Sequence, residues 1–283
     1  MTALVLAICW LAGAAAEGPS APLKEQRANG EHWTISTAKG QVHLWRPEHY
    51  QQKSAGVVIY LHGYFIDVDG ACREHWLPEQ FAASLQNALF ISAESPKGDE
   101  EGVSWDNLEE LLNTVFKRVK LRRPPGPLVA VGHSGAFRTI VSWLSHPDLS
   151  TIILLDGLYT LGLEPCLEWI KSNPRHRLIL VGYDTHPKAI ELATRFPVAV
   201  IREGIPEKFS QFTQAEFQEQ LVIIHSQYGH MEMITQGQVI PMVLRLSPLK
   251  ALPAPLSDPR SGLRNLLEPP PVLTNPPPSS PSP

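Results

Sequence analysis

The sequence has few cysteines, no run of basic residues and no long apolar segment, and each absence excludes a class of protein. Three cysteines in 283 residues are too few for a disulfide-built scaffold, and they lack the paired CxxC spacing of a structural zinc site. The 24 basic residues are balanced by 28 acidic residues, which gives no electrostatic footprint for nucleic acid or an anionic membrane surface. We therefore expect neither a nucleic-acid partner nor stable membrane insertion of the mature protein.

The N-terminal residues differ in composition from the rest of the chain. Residues 1–16 read MTALVLAICWLAGAAA, a short apolar stretch that ends in an A-x-A cleavage pattern and is typical of a signal peptide. The stretch is shorter than the about 18 apolar residues that a membrane-spanning helix requires. We therefore expect a secreted or periplasmic protein. Because the leader has no Lys or Arg, the other interpretation is an apolar N-terminus of a cytosolic protein.

Proline is concentrated at the C-terminal end. Of 27 prolines, 12 lie between Pro248 and Pro283. Proline lacks the backbone N–H and fixes φ, so this density opposes both helix and sheet formation. The composition predicts a disordered tail over residues 247–283 and a folded domain over residues 17–246.

Short, continuously apolar runs recur through this domain. Runs without polar alternation are typical of strands buried on both faces, as in a parallel sheet that helices cover. The six runs are residues 56–61, 88–92, 127–131, 151–155, 177–181 and 221–225. Residues 32–36 and 41–45 instead alternate across a short turn, which predicts an antiparallel hairpin before the sheet.

Segments of helical period lie between these runs. The predicted helices are residues 76–87, 104–121 with a Ser104 cap, 135–144 and 231–246. The alternation of strand and helix predicts an α/β fold, with a mostly parallel central sheet, helices on both faces and an N-terminal antiparallel hairpin.

The segment GHSGA, residues 132–136, follows an apolar run and leads directly into a helix. A serine at such a tight turn projects its hydroxyl above the sheet and requires small residues two positions before and after it, here Gly132 and Ala136. The free N–H groups of a helix N-terminus also stabilise negative charge. The pattern indicates Ser134 as a nucleophile, and the other interpretation is a glycine-rich turn with no catalytic role.

This motif in an alternating α/β domain resembles the α/β-hydrolase family of serine esterases and lipases, and the resemblance covers nearly the whole folded domain. It implies a catalytic triad whose base is a histidine after the last strand. His230 occupies that place, because it follows the run 221–225, and His225 is the rival.

The resemblance also implies an acid between Ser134 and His230 in chain order. Asp184, after the run 177–181, is the first choice for that acid. Asp156, after the run 151–155, is the competitor, because a minority of the family keeps its acid there. For the oxyanion hole, the resemblance implies the N–H groups of Gly135 and of Tyr64, which lies in the segment YLHGY.

With these residues, the resemblance implies a carboxylesterase that acts on a small acyl ester through an acyl-enzyme intermediate, without a cofactor or metal. A peptidase or other amide hydrolase would use the same residues, and a non-catalytic binding protein is the remaining class. About twenty residues separate Leu155 from Arg177, which leaves little room for a lid and predicts an open site. In an exported protein, Cys72 and Cys166 could form a disulfide; two free thiols are the equal alternative.

Overall fold

The computed structural model describes residues 20–253, in which ten strands form one sheet in the order β1-β2-β3-β5-β4-β6-β7-β8-β10-β9. The strands are β1 Leu23–Arg27, β2 Gly30–Thr37, β3 Gly40–Pro47, β4 Gly56–Leu61, β5 Ala88–Ala93, β6 Leu128–His133, β7 Leu149–Leu155, β8 Arg177–Gly182, β9 Ala199–Glu203 and β10 Leu221–His225. Strands β1, β2, β3 and β5 pair antiparallel in turn, and all the remaining pairs are parallel.

Helices cover both faces of this sheet. They are α1 Val68–Glu74, α2 Leu77–Ser84, α3 Leu108–Val119, α4 Phe137–Ser142, α5 Thr160–Ser172, α6 His186–Ala193, α7 Gln214–Gln218, α8 Glu232–Thr235 and α9 Val239–Leu244. A 3-10 turn over Ser134–Ala136 precedes α4. None of the helices in residues 20–253 is long and apolar enough to cross a membrane.

The apolar runs form strands because both faces of the sheet are buried. In β4, Val57 and Ile59 belong to one apolar cluster, and Val58 and Tyr60 belong to the other. Helices α3 to α6 contribute to the first cluster, and α1, α2, α8 and α9 contribute to the second. This two-sided burial explains why the central strands show no polar alternation.

The predicted fold class, the hairpin and all six apolar runs are confirmed. Strands β1 and β9 were not predicted, and they are the two edges of the sheet. Edge strands need not be apolar on both faces: β1 reads LKEQR and is mostly exposed, and β9 reads AVIRE and is at most half-buried. The polar composition of β1 hides it from a search for apolar runs, whereas β9 was missed although it continues the apolar residues PVAVI, 197–201.

Several predicted helix boundaries were wrong. Helix α3 begins after Asn107, whose side chain caps it by accepting from the Glu110 N–H at 3.1 Å, so Ser104 is not the cap. The predicted helix 231–246 is divided into α8 and α9 at Gly237, which has φ of +74°. That left-handed conformation suits glycine and interrupts the helix.

The folded part extends beyond the predicted boundary at residue 246. Asn87 N–H donates to the Lys250 carbonyl, and Leu252 N–H donates to the Leu85 carbonyl. The Leu249 side chain is buried in the second apolar cluster. The predicted signal peptide lies outside the described residues, as does most of the predicted tail, so both remain predictions.

Helix α3 provides a test of the two-sided core. Leu111 is fully buried against the sheet, and Lys117 lies on the exposed face of the same helix. Leu111→Ala should lower the free energy of unfolding by about 2–5 kcal/mol, because it leaves a cavity. Lys117→Ala should change it by less than about 0.5 kcal/mol. Urea denaturation measures both, and equal small effects would contradict this packing.

Candidate active site

The turn after β6 holds Ser134 in a conformation that few residues other than glycine adopt. Ser134 has φ of +51°, in the left-handed region, and it begins the 3-10 turn that leads into α4. A side-chain carbon at Gly132 would lie 2.6 Å from Cδ1 of Ile140 and 3.4 Å from Cβ of Ala136. The turn therefore requires small residues on either side of Ser134, as the sequence motif predicts.

His230 is oriented by a short hydrogen bond to a carboxylate. It lies in the segment between β10 and α8, and its Nδ1 lies 2.7 Å from Oδ2 of Asp156. A carboxylate only accepts hydrogen bonds, so Nδ1 carries the proton and donates it to Asp156. Among residues 20–253, no hydrogen bond occupies Nε2 of His230.

The Asp156 carboxylate is fully buried and accepts three further hydrogen bonds. The donors to Oδ1 are the Tyr183 N–H at 2.9 Å, the Thr185 N–H at 2.8 Å and the Thr185 hydroxyl at 2.9 Å. Burial alone raises the pKa of Asp156, but the hydrogen bonds from His230, Thr185 and Tyr183 outweigh it and hold that pKa well below its ordinary value. Asp156 is therefore ionised and can stabilise a positive charge on His230.

The first choice for the acid, Asp184, does not make the expected hydrogen bond to His230 in the structure. Asp156 follows β7, whose neighbour in the sheet is β8, and the turn after β8 donates the Tyr183 and Thr185 N–H groups to it. Asp184 lies between these two donors with its own side chain exposed. The Asp184 carboxylate lies within 4.8 Å of a His230 ring nitrogen and of an Asp156 oxygen, but Asp156 makes the hydrogen bond to His230.

His133 supports His230 without competing for its place. Its Nε2 donates to the His230 carbonyl at 3.1 Å, and the two rings lie 4.6 Å apart between centroids. Burial and the neighbouring His230 lower the pKa of His133 to about 3. A neutral ring that donates from Nε2 holds the backbone of His230 and carries no charge of its own.

The hydroxyl of Ser134 lies 3.3 Å from the Tyr159 hydroxyl, and this is its hydrogen bond in the structure. No hydrogen bond joins it to His230 among the described residues. The backbone of Ser134 nevertheless lies close to Asp156. A side-chain carbon at Gly157, the residue after Asp156, would be 3.1 Å from the Ser134 carbonyl oxygen. The Ser134 backbone thus lies beside the segment that carries Asp156, and Asp156 is hydrogen-bonded to His230.

The loop after β4 packs directly on this turn. A side-chain carbon at Gly63 would lie 3.0 Å from Cβ of Ser134, and one at Gly135 would lie 2.1 Å from Cε1 of Tyr64. His62 fixes the loop, because its Nδ1 donates to the Gly63 carbonyl at 2.8 Å and its Nε2 accepts the Ser95 N–H at 3.0 Å. The expected oxyanion donors, Tyr64 and Gly135, are therefore on adjoining segments.

The side chain of Tyr64 holds the two segments together. Its ring covers Gly135, and its hydroxyl accepts a hydrogen bond from Arg138 of α4 at 3.2 Å. The N–H of Phe65, the next residue, donates to the Lys97 carbonyl at 3.0 Å, so it is committed within the protein. These contacts fix the loop backbone relative to the N-terminus of the 3-10 turn.

Sequence reasoning missed Tyr159 and Thr185. Tyr159 lies three residues after Asp156. The choice of Asp156 as the acid is therefore the one sequence signal that could have pointed to Tyr159. Thr185 lies directly after the first-choice acid, and no sequence pattern indicates that its hydroxyl binds Asp156. Both contacts depend on how β7 and β8 lie beside each other.

Two groups of side chains in residues 20–253 have the composition of a metal site. Asp156, Asp184 and His230 form one, and His32, His43 and Cys72 form the other. The first consists of the residues already described. Cys72 and Cys166 are both buried and free, so the structure has no disulfide between them.

Comparison with known proteins rests on structure alone. No protein-family model matches the sequence, and no curated protein matches it. A mutant of the feruloyl esterase module from Clostridium thermocellum, complexed with sinapinate, is similar over 80% of this chain and 94% of its own, with 10% identity and a TM-score of 0.53. The S-formylglutathione hydrolase from Agrobacterium tumefaciens is similar over 80% of this chain and 98% of its own, with 12% identity and a TM-score of 0.48.

An alignment that spans most of both chains at a TM-score above 0.5 shows a common fold, even at 10% identity. The strand order and the antiparallel N-terminal strands agree with this. The resemblance drawn from the sequence is therefore confirmed at the level of architecture: the chain has the α/β-hydrolase fold.

Proposed function

We propose that this protein is a serine hydrolase that cleaves carboxylic esters, with Ser134 as nucleophile, His230 as base and Asp156 as the acid that orients His230. The observation that carries the proposal is the hydrogen bond between Nδ1 of His230 and the buried Asp156 carboxylate, beside a serine on a strained turn. A histidine protonated at Nδ1 has Nε2 available to accept a proton, which is the property that a general base requires.

Acyl transfer on these residues proceeds in two halves. The Ser134 oxygen attacks the ester carbonyl carbon while its proton moves to Nε2 of His230, and the carbonyl electron pair moves onto oxygen. The intermediate then collapses, and His230 gives the proton to the leaving alkoxide. Water attacks the acyl-enzyme in the same way, and the carboxylic acid product leaves as Ser134 regains its proton. Asp156 stays ionised throughout and stabilises the imidazolium.

The hydroxyl of Ser134 must turn from Tyr159 toward His230 before it reacts. Rotation about the Cα–Cβ bond moves a serine oxygen between staggered positions, and catalytic hydrogen bonds are often formed only in the complex with substrate. Tyr159 thus holds the hydroxyl in the resting enzyme, at 3.3 Å. A substrate carbonyl above the turn then draws the hydroxyl toward Nε2 of His230.

Negative charge on the substrate oxygen is stabilised by the N–H groups of Tyr64 and Gly135. Gly135 lies in the first turn of a helix, where N–H groups have no partner within the helix. Tyr64 lies on the loop that packs on Ser134 through Gly63. Two donors from adjoining rigid segments form the oxyanion site that this chemistry requires.

The surroundings of the site favour a small or aromatic acyl group. The chain between β7 and β8 forms helix α5, which leaves little room for a lid. Exposed apolar side chains lie on loops at the strand ends that carry the site, and they include Phe65, Tyr159, Tyr183 and Met231. Apolar side chains around a few polar groups are typical of ligand sites. The structurally similar feruloyl esterase module is complexed with sinapinate, an aromatic acid, which makes hydroxycinnamate esters a second class to test.

Turnover of a panel of esters tests the proposed function. We expect hydrolysis of p-nitrophenyl acetate and butyrate, and of methyl hydroxycinnamates, with a preference for these over emulsified long-chain triglyceride. Ser134→Ala should lower kcat by roughly 10⁶-fold, because the nucleophile is lost. Cleavage of anilides or peptides at rates equal to the matched esters would support an amide hydrolase instead, and no turnover of any substrate would contradict catalysis.

The identity of the acid is tested by two matched substitutions. Asp156→Asn should lower kcat by roughly 10⁴-fold, because an amide NH₂ facing Nδ1 of His230 favours the wrong tautomer. Asp184→Asn, on the exposed neighbour, should change kcat by no more than a few-fold. Steady-state kinetics on one soluble ester compares them. Inactivation by Asp184→Asn alone would show that the assignment to Asp156 is wrong.

The oxyanion site is tested by adding one methyl group at Gly135. The new carbon would lie 2.1–2.5 Å from the Tyr64 ring, so Gly135→Ala should displace the loop and remove one donor. We expect kcat to fall by roughly 10²-fold with little change in KM. Gly102→Ala is the control, because nothing lies within 4 Å of the added carbon. An unchanged kcat for Gly135→Ala would contradict the proposed donors.

A further inference from the structure

Two histidines and a cysteine from separate elements meet away from Ser134. His32 lies on β2, His43 on the adjacent β3, and Cys72 on α1. Nε2 of His32 lies 3.0 Å from Nδ1 of His43 and 3.8 Å from Sγ of Cys72. The three residues are 2%, 7% and 3% exposed, and their ligand atoms all lie within 4.8 Å of one another.

Carboxylates fix which nitrogen of each histidine carries a proton. Nδ1 of His32 lies 2.8 Å from Oε1 of Glu25, and Nε2 of His43 lies 2.7 Å from Oδ1 of Asp69. A carboxylate accepts and does not donate, so both of these nitrogens are N–H donors. The other nitrogen of each neutral ring then has a lone pair, and these are the two nitrogens that face each other at 3.0 Å.

Two facing lone pairs in a buried site repel each other unless a positive charge lies between them. A proton would bridge the two nitrogens and leave the Cys72 thiol, 3.8 Å from Nε2 of His32, and the Thr34 hydroxyl, 3.5 Å from Nδ1 of His43, as hydrogen-bond partners of the rings. A metal ion would use both nitrogens and the sulfur at once. Imidazole nitrogen and thiolate sulfur are the ligands that Zn²⁺ and related divalent ions prefer.

We propose that His32, His43 and Cys72 form a binding site for one divalent transition-metal ion, Zn²⁺ in the first place. Zn–N bonds of about 2.0–2.1 Å and a Zn–S bond of about 2.3 Å separate two nitrogens by about 3.3 Å and a nitrogen from the sulfur by about 3.6 Å in a tetrahedron. The observed 3.0 Å and 3.8 Å differ from these spacings by a few tenths of an ångström, and the ligand atoms of the third pair, His43 and Cys72, lie within 4.8 Å of each other.

The groups around the three ligands complete the site. A carboxylate behind each ligating histidine is the usual arrangement at metal sites, because it orients the ring and makes the free nitrogen more basic. Arg27 lies 4.0 Å from the Cys72 sulfur and also binds Glu79, at 3.0 Å. The carboxylates Glu25, Asp69 and Glu79 therefore outnumber the one guanidinium among these contacts, which favours a divalent cation.

Such an ion would join α1 to the outer strands of the sheet. Helix α1 follows the loop that carries Tyr64. The hydrogen bond between Asp69 and His43 already connects this helix to β3. The metal would fix the position of α1 and so stabilise the loop, without contacting substrate. Its role would be structural, because the ligands are buried and join three different elements of the fold.

Titration of the purified full-length chain with Co²⁺, after treatment with a chelator, tests the proposal. Co²⁺ takes the place of Zn²⁺ and reports a bound thiolate by a sulfur-to-metal charge-transfer band. We expect one ion per chain, that band, displacement of Co²⁺ by Zn²⁺, and a higher unfolding temperature with metal. Cys72→Ala should abolish the band, and Cys166→Ala, which removes the other buried thiol of the described residues, should leave it unchanged.

A second substitution keeps the test decisive if Cys72→Ala folds poorly. The side chain of Asp69 is 47% exposed, so Asp69→Asn should fold, and it should weaken Zn²⁺ binding by about 10–100-fold through loss of the carboxylate behind His43. Absence of metal binding would overturn the proposal and assign a bridging proton to the histidines. Co²⁺ binding that gives no sulfur band and disappears in His230→Ala would place the ion at Asp156, and this result would also overturn the proposal.

Discussion

The arrangement of the site depends on one buried carboxylate and the groups that satisfy it. Transfer of an ionised aspartate into a protein interior is costly unless hydrogen bonds replace its water. Asp156 accepts from the turn after β8 on one oxygen and from His230 on the other. The same contacts that compensate its burial therefore set the tautomer of His230 and connect the ends of β7 and β8 to the segment after β10.

The sheet brings these residues together because its central strands are parallel and neighbouring. Ser134, Asp156 and the turn that binds Asp156 follow β6, β7 and β8, which lie side by side. Their carboxyl ends meet at one edge, where loops can carry polar groups while the strands stay apolar. The strained φ of Ser134 is maintained by close packing, since Gly132, Gly135 and Gly157 leave no space for larger residues.

Much of this architecture could be predicted from the sequence. Continuous apolar runs indicated the central strands, and the small residues around Ser134 indicated the turn, because both patterns follow directly from local geometry. The edge strand β1 was not predicted, since it is polar and lacks that signal, and β9 was not predicted although residues 197–201 are apolar. The choice between Asp184 and Asp156 could not be settled either: each follows a buried strand, and only the hydrogen bonds between adjacent turns distinguish them.

The cluster of His32, His43 and Cys72 was hidden for a related reason. Its members are far apart in the sequence and have no motif spacing, and the register of β2 with β3 together with the position of α1 brings them into contact. A search for short metal-binding motifs detects ligands that are neighbours in the chain. Ligands that a sheet and a helix bring together become visible only in three dimensions.

The proposed reaction requires that Ser134 is made nucleophilic by a histidine that Asp156 orients. Reaction of the folded protein with a fluorophosphonate, followed by peptide mapping in a mass spectrometer, tests it most directly. We expect one adduct, on Ser134, that is absent in Ser134→Ala and forms far more slowly in His230→Ala. An adduct on another residue, or none on the folded wild-type protein, would contradict it.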